Sequence, residues 1–80
     1  MKTVVVQYFA ILRERSGRSE ETIETAAGTA GDLYGELEGR YAFGLPPGTV
    51  KVAINDDFAD WNASIAEGDR IVFIPPVAGG

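Results

Sequence analysis

One stretch of this chain has helical periodicity, and most of what surrounds it has strand character. Ala30, Leu33, Tyr34, Leu37 and Tyr41 recur at i, i+3, i+4, i+7 and i+11, which puts them on one side of an amphipathic helix. A single apolar stripe cannot bury itself. In a chain of 80 residues with no second helix of that quality, a sheet has to cover it. Thr29, with Asp32 three residues on, resembles a capping box whose hydroxyl serves the orphan amides of a helix start, so the helix is expected to begin near Ala30. Gly31, Gly35 and Gly39 fall inside it. Each costs about 1 kcal/mol relative to alanine, and they read as tolerated rather than as a packing seam.

The flanking segments alternate with period two. Lys2 to Phe9 is rich in β-branched and aromatic residues, with Val4, Val6 and Tyr8 on one face and Val5, Gln7 and Phe9 on the other. Ala10 to Arg15 reads as a helical turn, and Ser16 to Ser19 as the turn into a second strand around Glu21 to Thr25. Leu45-Pro46-Pro47-Gly48 is expected to be an extended loop leading to a strand from Val50 to Ile54, with Asn55-Asp56-Asp57 as a tight turn before a short strand at Phe58. Trp61 and Ile65 are isolated apolar anchors, Trp61 with a structural role. The turn Glu67-Gly68-Asp69 then starts a last strand from Arg70 to Ile74, which Pro75-Pro76 ends.

The order strand, strand, helix, strand, short strand, strand predicts an α+β fold of the β-grasp, ubiquitin-like kind, a mixed sheet of four to five strands on one main helix. In that arrangement the first and last strands lie side by side at the centre of the sheet. Residues 1–76 are expected to form the domain, and residues 77–80 a flexible Gly-Gly tail projecting from it.

Composition narrows the chemistry. Cysteine and histidine are both absent, which removes disulfides, thiolate ligands and the usual triad and zinc chemistry, so a conventional internal active site is not expected. The net charge of −5 and the scattered arginines argue against nucleic acid, whose phosphates call for a clustered basic surface, and favour a protein partner. No apolar run approaches the roughly 20 residues needed to cross a bilayer. With no cysteine and no leader-like start, a cytoplasmic protein without membrane contact is expected.

The chemistry is therefore expected at the end of the chain. Two terminal glycines arise by composition alone in about one chain in 200, so a frayed terminus is the plain alternative. Glycine has no Cβ, however, so Gly79 and Gly80 suit a channel too narrow for side chains and present a bare carboxylate. Pro75-Pro76 holds the preceding backbone extended and aims the tail outward. A carboxylate becomes an electrophile once it carries a good leaving group, which attack on the α-phosphate of ATP supplies.

The ending Glu67 to Gly80, above all Pro75-Pro76-Val77 before Gly79-Gly80, resembles that of the small, sulfur-carrier subunit of molybdopterin synthase. Tyr8-Phe9-Ala10 with Arg13-Glu14 and Gly17, and Val52-Ala53-Ile54-Asn55, are similar to the same family. The resemblance implies that an adenylating enzyme of the ubiquitin-activating kind uses ATP to adenylate Gly80. Sulfur from a cysteine desulfurase or rhodanese-like protein then makes a thiocarboxylate, with Gly79 serving tail threading. It implies delivery of that sulfur to a pterin inside the large synthase subunit, in a heterotetramer whose catalytic side chains belong to the large subunit. No cofactor bound by the chain itself is implied. Phe9, Phe58 and Ile74 are expected to form a docking patch on the open sheet face, Phe58 and Ile74 at apolar interface positions of the family, with Pro75, Pro76, Val77 and Ala78 entering the partner. Two other readings share the tail chemistry: a protein modifier joined through Gly80 to lysines of its targets, and the thiamine-pathway sulfur carrier, which usually lacks the paired prolines in this register.

Overall fold

The computed structural model describes residues 1–76. β1 (Lys2–Tyr8) is followed by a two-turn helix α1 (Ala10–Ser16), β2 (Glu20–Thr25), the main helix α2 (Ala30–Tyr41), β3 (Lys51–Ile54), β4 (Asp57–Ala59) and β5 (Arg70–Ile74). The five strands form one sheet in the order β2-β1-β5-β3-β4. β1 and β5 are parallel and the other pairs antiparallel. This is the expected mixed sheet of a β-grasp, with the last strand between the first and the third.

Helix α2 packs on one face of that sheet. Ala30, Leu33, Tyr34 and Leu37 are buried against Val4, Val6, Tyr8, Val52, Ile71 and Phe73, and Tyr41 is partly buried at the edge of the core. Full burial of each large apolar side chain stabilises the fold by about 1.5–3 kcal/mol. The Asp32 amide donates to Thr29 Oγ1 at 3.1 Å, the helix start expected from the sequence. Asn55 and Asp56, at φ 52° and 74°, both sit in the left-handed region that a two-residue hairpin loop between β3 and β4 requires.

Two expectations are corrected, and one core residue had not been anticipated. Pro47–Thr49 is a 3-10 turn rather than extended chain. Proline at its start supplies a preset φ, and Thr49 Oγ1 closes the turn by donating to Pro46 O at 2.8 Å. Phe43, in a loop without apparent pattern, is a core residue. The left-handed Ala42 (φ 53°) reverses the chain so that Phe43 returns to pack on Tyr34, Tyr8 and Tyr41 with centroid distances of 5.7–5.8 Å. The glycines of α2 are not all merely tolerated either. The Gly31 amide donates to Trp61 O at 2.7 Å, and a Cβ there would lie 3.0 Å from that same oxygen. Gly35 and Gly39 face open space.

Trp61 is structural, as read. Its indole N–H donates to Pro47 O at 3.0 Å, and its ring packs on Tyr34 and Phe73 at centroid distances of 5.2 and 5.9 Å. Around it, residues 60–69 are laced to the start of α2, with the Ala30 amide on Ala63 O and the Ile65 amide on Gly28 O.

Candidate functional site

The site is built around the end of β5. Tyr8 pairs with Phe73 and Lys51 with Ile74, so the chain leaves the sheet from its centre, at the end where β1 finishes and β3 begins. Strands on both sides hold that exit point, so it is a rigid origin for whatever follows. Pro75 is buried and Pro76 exposed, which makes Pro75 part of the body of the domain and leaves only Pro76 on its surface. Val77, Ala78, Gly79 and Gly80 lie outside the described residues.

The side-chain alternation of the strands divides the sheet into two faces. One carries Val6, Tyr8, Ile71, Phe73 and Val52 against α2. On the other, the pairings Gln7 with Val72, Val72 with Ala53 and Ala53 with Phe58 draw a single row across β1, β5, β3 and β4. Ile74 and Lys51 belong to the next row toward the chain exit. Phe9, whose backbone is still extended at φ −127° and ψ 153°, comes after Tyr8 and so alternates onto the open face with Gln7 and Ile74. Phe58 is 74% exposed and Phe9 42%, with Ile74 half-buried. The three residues singled out from sequence therefore share the open face beside the chain exit.

Ala53 and Val72, in the middle of the row, were not singled out. They are 8% and 9% exposed and make the floor between Gln7 and Phe58. The signal was present in β5, whose Ile71 to Ile74 are all apolar, as a strand covered on both faces reads. Toward β2 the face turns polar. Arg70 Nη1 donates to Glu20 Oε1 at 2.9 Å and to Gln7 Oε1 at 3.2 Å, so its charge is already engaged within the domain. Beside Phe58 a groove of about 440 Å³ is lined by Pro47, Gly48, Val50, Lys51 and Trp61 among others.

Polar groups inside the domain serve the fold. Tyr8 and Tyr41 both donate to Glu21 Oε2, at 2.5 and 2.7 Å, joining β1, β2 and the end of α2. Burial first, then the hydrogen bond to Glu21, raises both phenols above their ordinary value. Burial with the Glu38 carboxylate nearby pushes Tyr34 up to about 12. Lys2 Nζ donates to Ala27 O and Ile65 O at 2.9 and 3.2 Å. Among the described residues no three His, Cys, Asp or Glu side chains converge to hold a metal ion, and no helix is long and apolar enough to cross a membrane.

The described residues thus end at Pro76, where the central strand β5 leaves the sheet beside its apolar open face. The model of the ThiS family matches residues 6–80, from the first strand through both terminal glycines. The chain belongs to the ThiS family. Within it, the molybdopterin synthase sulfur carrier subunit of Mycobacterium tuberculosis is 34% identical over 100% of both chains. That of Haemophilus influenzae is 33% identical, covering 94% of this ThiS-family chain and 96% of its own length. Among solved structures, small archaeal modifier protein 1 of Haloferax volcanii superposes with a TM-score of 0.80 at 25% identity, covering 98% of this chain and 99% of that one. A subunit in the complex of subunits 1 and 2 of the molybdopterin-converting factor of Helicobacter pylori gives a TM-score of 0.68 at 26% identity, over 98% and 99%. In that Helicobacter pylori structure the similar subunit is in complex with a second, different subunit.

Proposed function

We propose that this chain is the sulfur carrier subunit of molybdopterin synthase, working through the carboxylate of Gly80. The observation that carries the reading is near-full-length similarity, at 28–34% identity, to three relatives that all bear that name. The geometry of the chain exit supports it: the central strand β5 leaves the sheet beside an apolar open face.

In this reading an adenylating enzyme of the ubiquitin-activating kind binds the domain and holds Gly80 against ATP. The carboxylate attacks the α-phosphate and pyrophosphate leaves. A persulfide on a cysteine desulfurase or rhodanese-like protein then displaces AMP to give an acyl disulfide, and a second thiol cleaves its S–S bond, releasing the thiocarboxylate and leaving a disulfide behind. Splitting the exchange into two displacements replaces one poor leaving group by a good one. The charged terminus, narrowed by Gly79 and Gly80, passes into the large subunit, whose side chains direct the sulfur into a pterin precursor to build the dithiolene. Phe9, Phe58 and Ile74 dock the domain, Pro76, Val77 and Ala78 enter the partner ahead of the glycines, and buried Pro75 braces them. The protein works in the cytoplasm, where its partners and ATP are found.

The test is direct. Intact mass of the protein from its own cell should show one terminal oxygen replaced by sulfur. Deleting Gly80 should leave the thermal melt unchanged and abolish rescue of molybdenum-cofactor synthesis in a strain lacking its carrier. Rescue by the truncated chain would overturn the reading. A second reading, a protein modifier conjugated through the same terminus, is favoured by the likeness to small archaeal modifier protein 1. It predicts a ladder of larger conjugates in place of the sulfur-bearing mass.

A further inference from the structure

An activated acyl group reacts with any amine that reaches it, and this chain carries three: the amino terminus at Met1, Lys2 and Lys51. The topology separates them. β1 runs parallel to β5, so Met1 and Lys2 lie at the end of the sheet opposite the chain exit. With Tyr8 level with Phe73, Lys2 stands about 20 Å from the exit along the strand, at roughly 3.3 Å per residue. Lys2 Nζ is also spent on two backbone carbonyls.

Lys51 is the opposite case. β3 is antiparallel to β5, and the first residue of β3 pairs with the last of β5, Lys51 with Ile74. Lys51 is exposed and makes no ion pair or side-chain hydrogen bond with any other described residue. It opens onto the groove between Pro47, Gly48 and Phe58, which leaves its amine approachable from solvent. Gly80 lies six positions beyond Ile74, a reach of about 20 Å at full extension, which exceeds the distance from Ile74 to its own pairing partner.

We propose that Lys51 is an acylation site of this protein, the amine that takes the Gly80 acyl group when no sulfur nucleophile intercepts it. The inference rests on the activation of Gly80 proposed above. The neutral Lys51 amine attacks the carbonyl carbon of the Gly80 acyl-adenylate. A C–N bond forms, the bond from that carbon to the phosphate oxygen breaks, AMP leaves with the electron pair, and the amine proton passes to water. Nothing is oxidised or reduced. The product is a Gly80–Lys51 isopeptide, closed within one chain or joining two copies, and a carrier so capped no longer delivers sulfur.

The experiment incubates the full-length protein with its adenylating enzyme, ATP and magnesium, and no sulfur donor. In one arm hydroxylamine traps activated Gly80 as a hydroxamate. In the other, intact mass and peptide mapping read the isopeptide. The expected result is a hydroxamate at Gly80 and, without hydroxylamine, a Gly80–Lys51 linkage that is lost in Lys51→Arg while the hydroxamate persists. A product of one chain less one water marks closure, and two chains less one water marks joining. Hydroxamate with acylation of Met1 or Lys2, or with hydrolysis alone, overturns the assignment. Absence of hydroxamate overturns instead the activation of Gly80. In that event the protein carrying a chemically made thioester at Gly80 puts the same question to Lys51, and acylation elsewhere or nowhere still counts against the site.

Discussion

Glycine 31 and glycine 35 occupy the same helix one turn apart, yet the surroundings give them opposite meanings. At Gly35 nothing lies within 4 Å of an added Cβ, so Gly35→Ala should gain most of the difference in helix propensity, about 1 kcal/mol, and raise Tm by about 4–8 °C. At Gly31 the added Cβ would press on Trp61 O, the oxygen that accepts the Gly31 amide. Moving it disturbs the Trp61 ring against Tyr34 and Phe73. Gly31→Ala should therefore lower Tm despite the better propensity, and a melt showing equal gains at both positions would refute the contact. Ala42 closes α2 in the left-handed region at φ 53°, its amide on Glu38 O at 2.8 Å. A residue with a Cβ is strained there by about 1 kcal/mol, so Ala42→Gly should stabilise the domain by about that amount. Denaturant titration checks it.

Among the elements, the joint between β1, β2 and the end of α2 is the one held by polar groups. Glu21 accepts two phenols, and Tyr41→Phe, which removes one, should cost about 1–2 kcal/mol. The same tyrosines set an alkaline limit. Tyr8 and Tyr41 are raised in the folded state and Tyr34 stands at about 12, against an ordinary 10.0. A phenol raised on folding contributes stability that is complete below its unfolded value and is lost as pH climbs toward the folded one. Stability should therefore hold to about pH 10 and fall steeply above it, with phenolate absorbance rising together with loss of the native circular dichroism. Phenolate formed in full while the fold persists would contradict the burial of these rings. Residues 42–49 join the same core through Phe43 and the Tyr34 hydroxyl, which donates to Leu45 O at 2.8 Å.

For the molecule as a whole, the two faces of the sheet divide the labour. One is filled by α2; the other offers Phe58, Phe9 and Ile74 beside the chain exit. Large exposed aromatics at the centre of a docking face are the residues whose loss costs most. Phe58→Arg should leave Tm within a degree or two, because the side chain is 74% exposed, and weaken binding to the large subunit by about 30-fold or more, equivalent to 2 kcal/mol. Undiminished binding by a folded variant would remove Phe58 from the face. The sheet edges are guarded in two ways. β4 has three residues, and β2 carries Glu20, Thr22 and Glu24 on the open face, a charged edge that discourages pairing with other chains.

The sequence by itself determined the elements and the fold class, because their signals are local: the apolar stripe of α2, the Thr29 cap, period-two strands and the turn residues at Asn55-Asp56. It also marked Phe9 and Ile74 by alternation along their strands and Phe58 by its place after the tight turn, with Phe58 and Ile74 at apolar positions of the family it resembles. What the tertiary structure alone decided are relations between residues far apart in the chain. Gly31 against Trp61, Phe43 folded back on Tyr34, Pro75 withdrawn into the body, and Lys51 level with the chain exit each depend on strand register and loop reversal. Register is set by the summed packing of a whole sheet on a whole helix, a quantity no window of sequence contains.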